Sequence, residues 1–162
     1  LLDDSIQFSL MAGAFSGGNA DYVTLFEPTA SMIELENKGY ILTSIGQEAG
    51  EIPYTAYFAK QSYMEKNKDI IKKFNKAIKK GQEWVKENSA EDIALAIAPS
   101  FPDTDISILT TVVKRYKDID VWCDSPLLKE HGFKLLQDVM KEAGELEKEA
   151  PYDKIAATEF MK

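Results

Sequence analysis

The run Gly17-Gly18-Asn19-Ala20-Asp21-Tyr22-Val23-Thr24-Leu25-Phe26-Glu27-Pro28 places a stop, an apolar run and a restart next to one another. The glycines and the asparagine tolerate the left-handed backbone that ends helices and makes tight turns. Tyr22 to Phe26 is mostly apolar and β-prone, and reads as a strand covered on both faces by helices. Glu27-Pro28 ends it. Proline suits a first helical position, where its missing N–H costs nothing, and the glutamate falls at the positive end of the helix that follows. Ligands in open α/β sheets gather beyond the carboxyl ends of strands, which is where this pattern puts Phe26 and Glu27.

Around that junction the chain alternates. Asp3, Asp4 and Ser5 are good caps for a helix over 5–15 that carries Ile6, Leu10, Met11 and Ala14 at helical spacing and closes at Gly17. The strand 21–26 follows, then a short helix with Met32, Ile33 and Leu35 that stops at Lys38-Gly39, then a strand at 40–45. Helix, strand, helix, strand predicts a parallel α/β sheet. Residues 46–53 are polar, hold two glycines and end in proline, as a crossing or hinge between lobes would. A third strand is predicted at 54–59. Beyond Ser62 helices dominate. Residues 69–87 show an apolar repeat near 3.6 with lysines opposite, which predicts one long amphipathic helix. Ser89 with Asp92 reads as a capping box. Asp103 or Thr104 opens a helix through Tyr116, and Ser125-Pro126 opens another that Gly144 ends.

Composition narrows the function classes. At 162 residues, 44% hydrophobic and 28% charged, the chain can bury a core. A formal charge of −8, from 19 basic and 27 acidic residues, argues against a nucleic-acid partner. One cysteine, Cys123, and one histidine, His131, leave no internal disulfide and no cysteine- or histidine-rich metal site. They stand eight residues apart with no serine or acid motif, so no catalytic residue, metal or cofactor is expected. Residues 46–50 lack the lysine and the helix context of a phosphate loop. No apolar stretch of about 20 residues is present to span a bilayer. The opening Leu1-Leu2-Asp3-Asp4 has neither methionine, signal peptide nor lipid-attachment cysteine, and reads as the start of a processed piece.

AGAFSGGNADYVTLFEPTA, then GEIPYTAYFAKQSY, then the lysine-rich helix and VVKRYKDIDVW together resemble the substrate-binding proteins of nitrate/sulfonate/taurine-type ABC transporters, which include binders of thiamine-precursor pyrimidines. The resemblance covers nearly the whole chain and implies a two-lobed α/β fold of the type 2 periplasmic binding class that closes on a solute. Family members run to roughly 300 residues, so the chain matches their helix-rich carboxyl-terminal half. By that alignment residues 1–50 are the tail of lobe two and 51–162 the returning half of lobe one. The resemblance further implies a small polar or aromatic solute, a permease partner, no chemistry, and an extracytoplasmic place at the membrane through an amino-terminal anchor outside this chain. An alternative from another class is an enzyme of pyrimidine or sulfur metabolism on the same scaffold; the fungal pyrimidine-synthesising relative carries a cysteine-rich iron motif that this chain lacks. A sheet cut in half exposes apolar faces and open edges, so self-association is also expected.

Five residues are candidates for the solute site. Glu27 either accepts hydrogen bonds from an amine or aminopyrimidine or caps its own helix. Thr24 and Phe26 share one strand face and supply a hydroxyl and a stacking ring, unless Phe26 packs in the core. Tyr54 and Thr55, after Pro53, line the cleft or stiffen the hinge. Trp84 lies on the apolar stripe of the long helix and reads as packing, and Trp122 either closes over a ligand or anchors its loop.

Overall fold

The structure, a computed structural model, describes residues 4–160. It divides into two compact units, Leu1–Ser44 with Asn88–Asp120, and Ile45–Glu87 with Val121–Lys162.

The first unit is built on a helical hairpin. Helices α1 (Met11–Ser16) and α2 (Thr29–Leu35) come from its amino-terminal part, and α6 (Ala90–Ile97) and α7 (Ile106–Asp118) from the later part. Ser89 caps α6, its Oγ accepting the Asp92 N–H at 3.1 Å, while the Ser89 hydroxyl donates to the Asp92 carboxylate. Asp105 caps α7 by accepting the Ser107 N–H, one or two residues beyond the predicted start. Ile93 and Ala94 of α6 meet Leu109, Val112 and Val113 of α7, and these five side chains are the buried apolar core of the unit. Leu109 and Val113 stand four apart on one face, and burying each stabilises the hairpin by about 1.5–3 kcal/mol. Helix α2 packs on α7. At Gly39 a Cβ would lie 2.7 Å from the Phe15 ring, so only glycine lets the chain pass that close.

The second unit holds α3 (Ile45–Ala49), α4 (Gln61–Lys66), α5 (Lys68–Glu87), α8 (Glu130–Glu142) and α9 (Tyr152–Ile155). Helix α5 matches the predicted 69–87. A 3-10 turn at Thr158–Phe160 covers it, with Phe160 buried and Asn75 Nδ2 donating to the Phe160 carbonyl. Gln137 of α8 accepts the Ala150 N–H and donates to the Ala150 carbonyl, and the Tyr152 hydroxyl donates to the Leu128 carbonyl. Helix α8 starts at Glu130, four residues later than Ser125-Pro126 suggested, and Gly144, at φ +75°, follows its end as predicted.

The predicted strands 21–26, 40–45 and 54–59 are not seen: none of the described residues forms a β-strand, and Ile45 belongs to α3. The physical reason is that a strand exists only in a hydrogen-bonded ladder, and these runs build no ladder with one another. Their side chains stay outside, Tyr40 at 85% and Phe58 at 98% exposure. Propensity alone does not make a sheet. The predicted crossing 46–53 is likewise partly helical, as α3 followed by a turn at Gly50. Helix 5–15 begins late, as a 3-10 turn at Phe8–Leu10 leading into α1, and its proposed cap Asp3 lies outside the described residues.

Candidate functional site

Pro28 occupies the cap position of α2 and brings no side-chain hydrogen bond to it. Glu27 fills that need. Its Oε2 accepts the Ser31 N–H at 2.9 Å, and its Oε1 accepts the Ser31 hydroxyl at 3.1 Å and Arg115 Nη1 at 2.9 Å. Arg115 Nη1 also donates to Ser31 Oγ at 2.8 Å, and Nη2 to Glu34 Oε2 at 2.8 Å. One guanidinium fork on α7 therefore grips residue 27, just ahead of the cap of α2, together with residues 31 and 34 on one face of that helix. The Glu27 side chain is only 7% exposed and Ser31 1%.

The charges respond to these neighbours. The Ile41 N–H and then Arg115 hold the Glu34 carboxyl below its ordinary value. Burial works against the Arg115 charge, but hydrogen bonds to Glu27 and Glu34 outweigh it and raise its pKa. The Tyr116 hydroxyl is raised by burial, and it hydrogen-bonds the backbone of Glu27. Consecutive residues of α7 thus hold both the side chain and the main chain of residue 27. This is the capping alternative for Glu27 rather than a carboxylate open to solvent.

Thr24 and Phe26 lie in the same unit and are exposed, Phe26 at 48% with its ring centroid 5.1 Å from that of Phe8. Phe26 is therefore not a core residue. Tyr54, at 79%, and Thr55 are exposed residues of the second unit. Trp84 is 40% exposed on α5 and Trp122 is half-buried. An open groove of the second unit runs along Met64, Lys68, Lys72 and Phe160, and none of the five candidates lines it.

Two groupings escaped the sequence reading. Arg115 is the only arginine among the 19 basic residues, and that was its one signal, since a planar fork is what a multidentate ion pair needs. The other is Glu51 with Lys129 and His131, whose carboxylate takes Lys129 Nζ at 2.6 Å and His131 Nε2 at 2.8 Å. Nothing in sequence spacing links residues so far apart. Among the described residues no group of three or more His, Cys, Asp or Glu side chains is gathered to hold a metal. No helix among them is long and apolar enough to cross a membrane.

A curated protein of Bacillus subtilis (strain 168), named "Putative binding protein YtlA", is 46% identical over 159 residues, 98% of this chain and 48% of that protein. The chain spans about half the length of the curated relative it matches. No solved structure gives a significant match. The family model described as "NMT1/THI5 like" matches residues 5–92, more than half of the chain and the whole stretch from α1 through Pro28 to the cap of α6. The chain belongs to the NMT1/THI5-like family, consistent with a substrate-binding protein.

Proposed function

We propose that this chain is half of the solute-binding component of an ABC importer, which captures a small polar or aromatic solute and performs no chemistry on it. The observation that carries this reading is the 46% identity, across almost the whole chain, to a relative whose printed name is a binding protein. In the complete protein, residues 1–50 end lobe two and 51–162 return to lobe one. The runs 21–26, 40–45 and 54–59 then become strands of an α/β sheet whose ladder partners come from the half of the family length not spanned here. Their exposed aromatic side chains support that reading, because a surface with so many large apolar groups invites cover. Without the cover, the chain pairs with itself.

Thr24, Phe26, Tyr54 and Thr55 are proposed as solute contacts, on their exposure and their hydroxyl and ring chemistry. Glu27 is proposed for the same wall. It supports that wall from beneath, through its bonds to Ser31 and Arg115. The protein works outside the cytoplasm beside a permease, and thiamine-precursor pyrimidines are among its candidate solutes. Closure follows ligand because only the closed state lets both lobes touch it.

Native mass spectrometry of the complete protein, purified without denaturation, tests the reading. The expected spectrum shows a small molecule lost on denaturation, and unshifted mass together with a melting point that no solute of these classes moves would overturn it. Bound iron or a converted substrate would favour the enzyme instead.

A further inference from the structure

Helix α5 gathers positive charge in an acidic chain. Its 20 residues hold seven lysines against three carboxylates, a net of +4 in a protein whose total is −8. Lys72, Lys73, Lys76, Lys79 and Lys80 fall within nine residues that contain no acid. At about 100° per residue the five span about 120° of the helix circumference, so they share one face. All five are exposed, and among the described residues only Lys79 of them has an acidic partner, Glu83 at 3.9 Å. The helix packs through another line. Ile71, Asn75, Ile78 and Val85 are its partly buried side, and Asn75 is the residue that reaches the Phe160 carbonyl. Between the two lie Ile70, Phe74 and Trp84, all exposed, with Trp84 on the same line of the helix as Lys73 and Lys80. The Phe74 ring meets the exposed Tyr57 edge on, at 4.8 Å.

We infer that this side of α5 is a docking surface for an anionic lipid bilayer, with the lysines at the headgroup phosphates and Ile70, Phe74 and Trp84 at the hydrocarbon boundary. Charge complementarity supplies the attraction. A cluster of lysines on one amphipathic helix binds anionic lipid surfaces at about five-fold in affinity for each lysine. The rings choose between polyanions. A bilayer offers hydrocarbon beside phosphate, and aromatic rings settle at that level, whereas a nucleic-acid duplex presents its phosphates without an apolar layer beneath them. The inference rests on this face of the helix and not on the solute, so it stands or falls apart from the proposed transport role.

Co-sedimentation of the whole chain with phosphatidylcholine vesicles, with and without about one-third phosphatidylglycerol, tests it. Binding is expected to the mixed vesicles and not to the neutral ones, and it should fall as salt rises. Lys73→Gln, Lys76→Gln and Lys80→Gln together should weaken it about 100-fold, while glutamine keeps the helix propensity of lysine nearly unchanged. A second triple variant, Lys114→Gln, Lys148→Gln and Lys154→Gln, reaches the same net charge through exposed lysines outside α5 and should bind as the unaltered protein does. Equal losses in the two triple variants, equal binding to neutral vesicles, or retention of polyglutamate without vesicle binding would each overturn the inference, the last in favour of an acidic protein partner.

Discussion

Glu27 and Glu51 carry out the same act in two surroundings. Each carboxylate joins a chain segment to a helix distant in sequence by dividing its oxygens among donors. Glu27 is 7% exposed and Glu51 50%. That difference decides their value. Water competes for every bond that Glu51 makes and screens its charges, whereas the Glu27 carboxylate has exchanged water for Ser31 and Arg115 and cannot recover it without local unfolding. Equal geometry on paper is unequal in free energy.

The sharpest way to break the comparison is to remove the cation from the buried side. Arg115→Met leaves the Glu27 carboxylate without its charged partner and Ser31 Oγ without a donor. Urea unfolding should show a loss of about 3 kcal/mol, the usual cost of stranding one member of a buried pair. Adding Glu27→Gln to that variant should restore part of the loss, because an amide is cheaper to bury than an anion. A doubly altered protein less stable than the single variant would mean that Glu27 does more than answer Arg115.

Backbone approach comes next in size, and it belongs to the exposed side. Gly132→Ala drives a methyl group to 2.8 Å from the Glu51 carbonyl, and because backbone cannot step aside cheaply the cost should be about 2 kcal/mol. The second unit is then seen to owe more to the fit of its main chain than to the ions decorating it. Ser31→Ala should follow at about 1 kcal/mol, since the hydroxyl is a bridge between two groups that still touch each other without it.

How much of this could be read beforehand depends on whether the cause was local. Helix α5, the Ser89 cap and the Gly144 stop follow from periodicity and capping within a few residues, and all are present. The restart at Pro28 was legible for the same reason, and Glu27 had been left open between ligand and cap. What could not be read was Arg115, 88 positions away, whose partner face on α2 only the packing of α7 selects. The strands failed in the opposite way. Tyr22 to Phe26 and Tyr40 to Ser44 have the right residue types, but a ladder needs a neighbour, and no sequence pattern within a run supplies one.

Acid should act on the first unit through Glu34. The Glu34 carboxyl is lowered in the folded protein, so the stability it contributes is complete above the unfolded value of about 4.3 and disappears as the pH falls through the folded one. Urea midpoints measured from pH 7 down to 3.5 for the unaltered protein and Glu34→Gln should therefore converge at the acid end. A constant gap between the two curves would assign the effect to packing instead of charge.

The smallest effect is the one that most sharpens the contrast. Glu51→Gln removes the charge that faces Lys129 and His131, yet all three side chains lie largely in solvent and the amide can still accept from Lys129. Its urea midpoint at pH 7 should be indistinguishable from that of the unaltered protein, while exchange at Ile52 changes. A global loss approaching that of Arg115→Met would show that exposure misjudges this cluster and that the 50–53 turn is part of what holds the second unit together. A silent midpoint with altered local exchange is the behaviour of a surface contact that sets the position of a segment without setting the stability of the fold, because opening it exposes only a few residues.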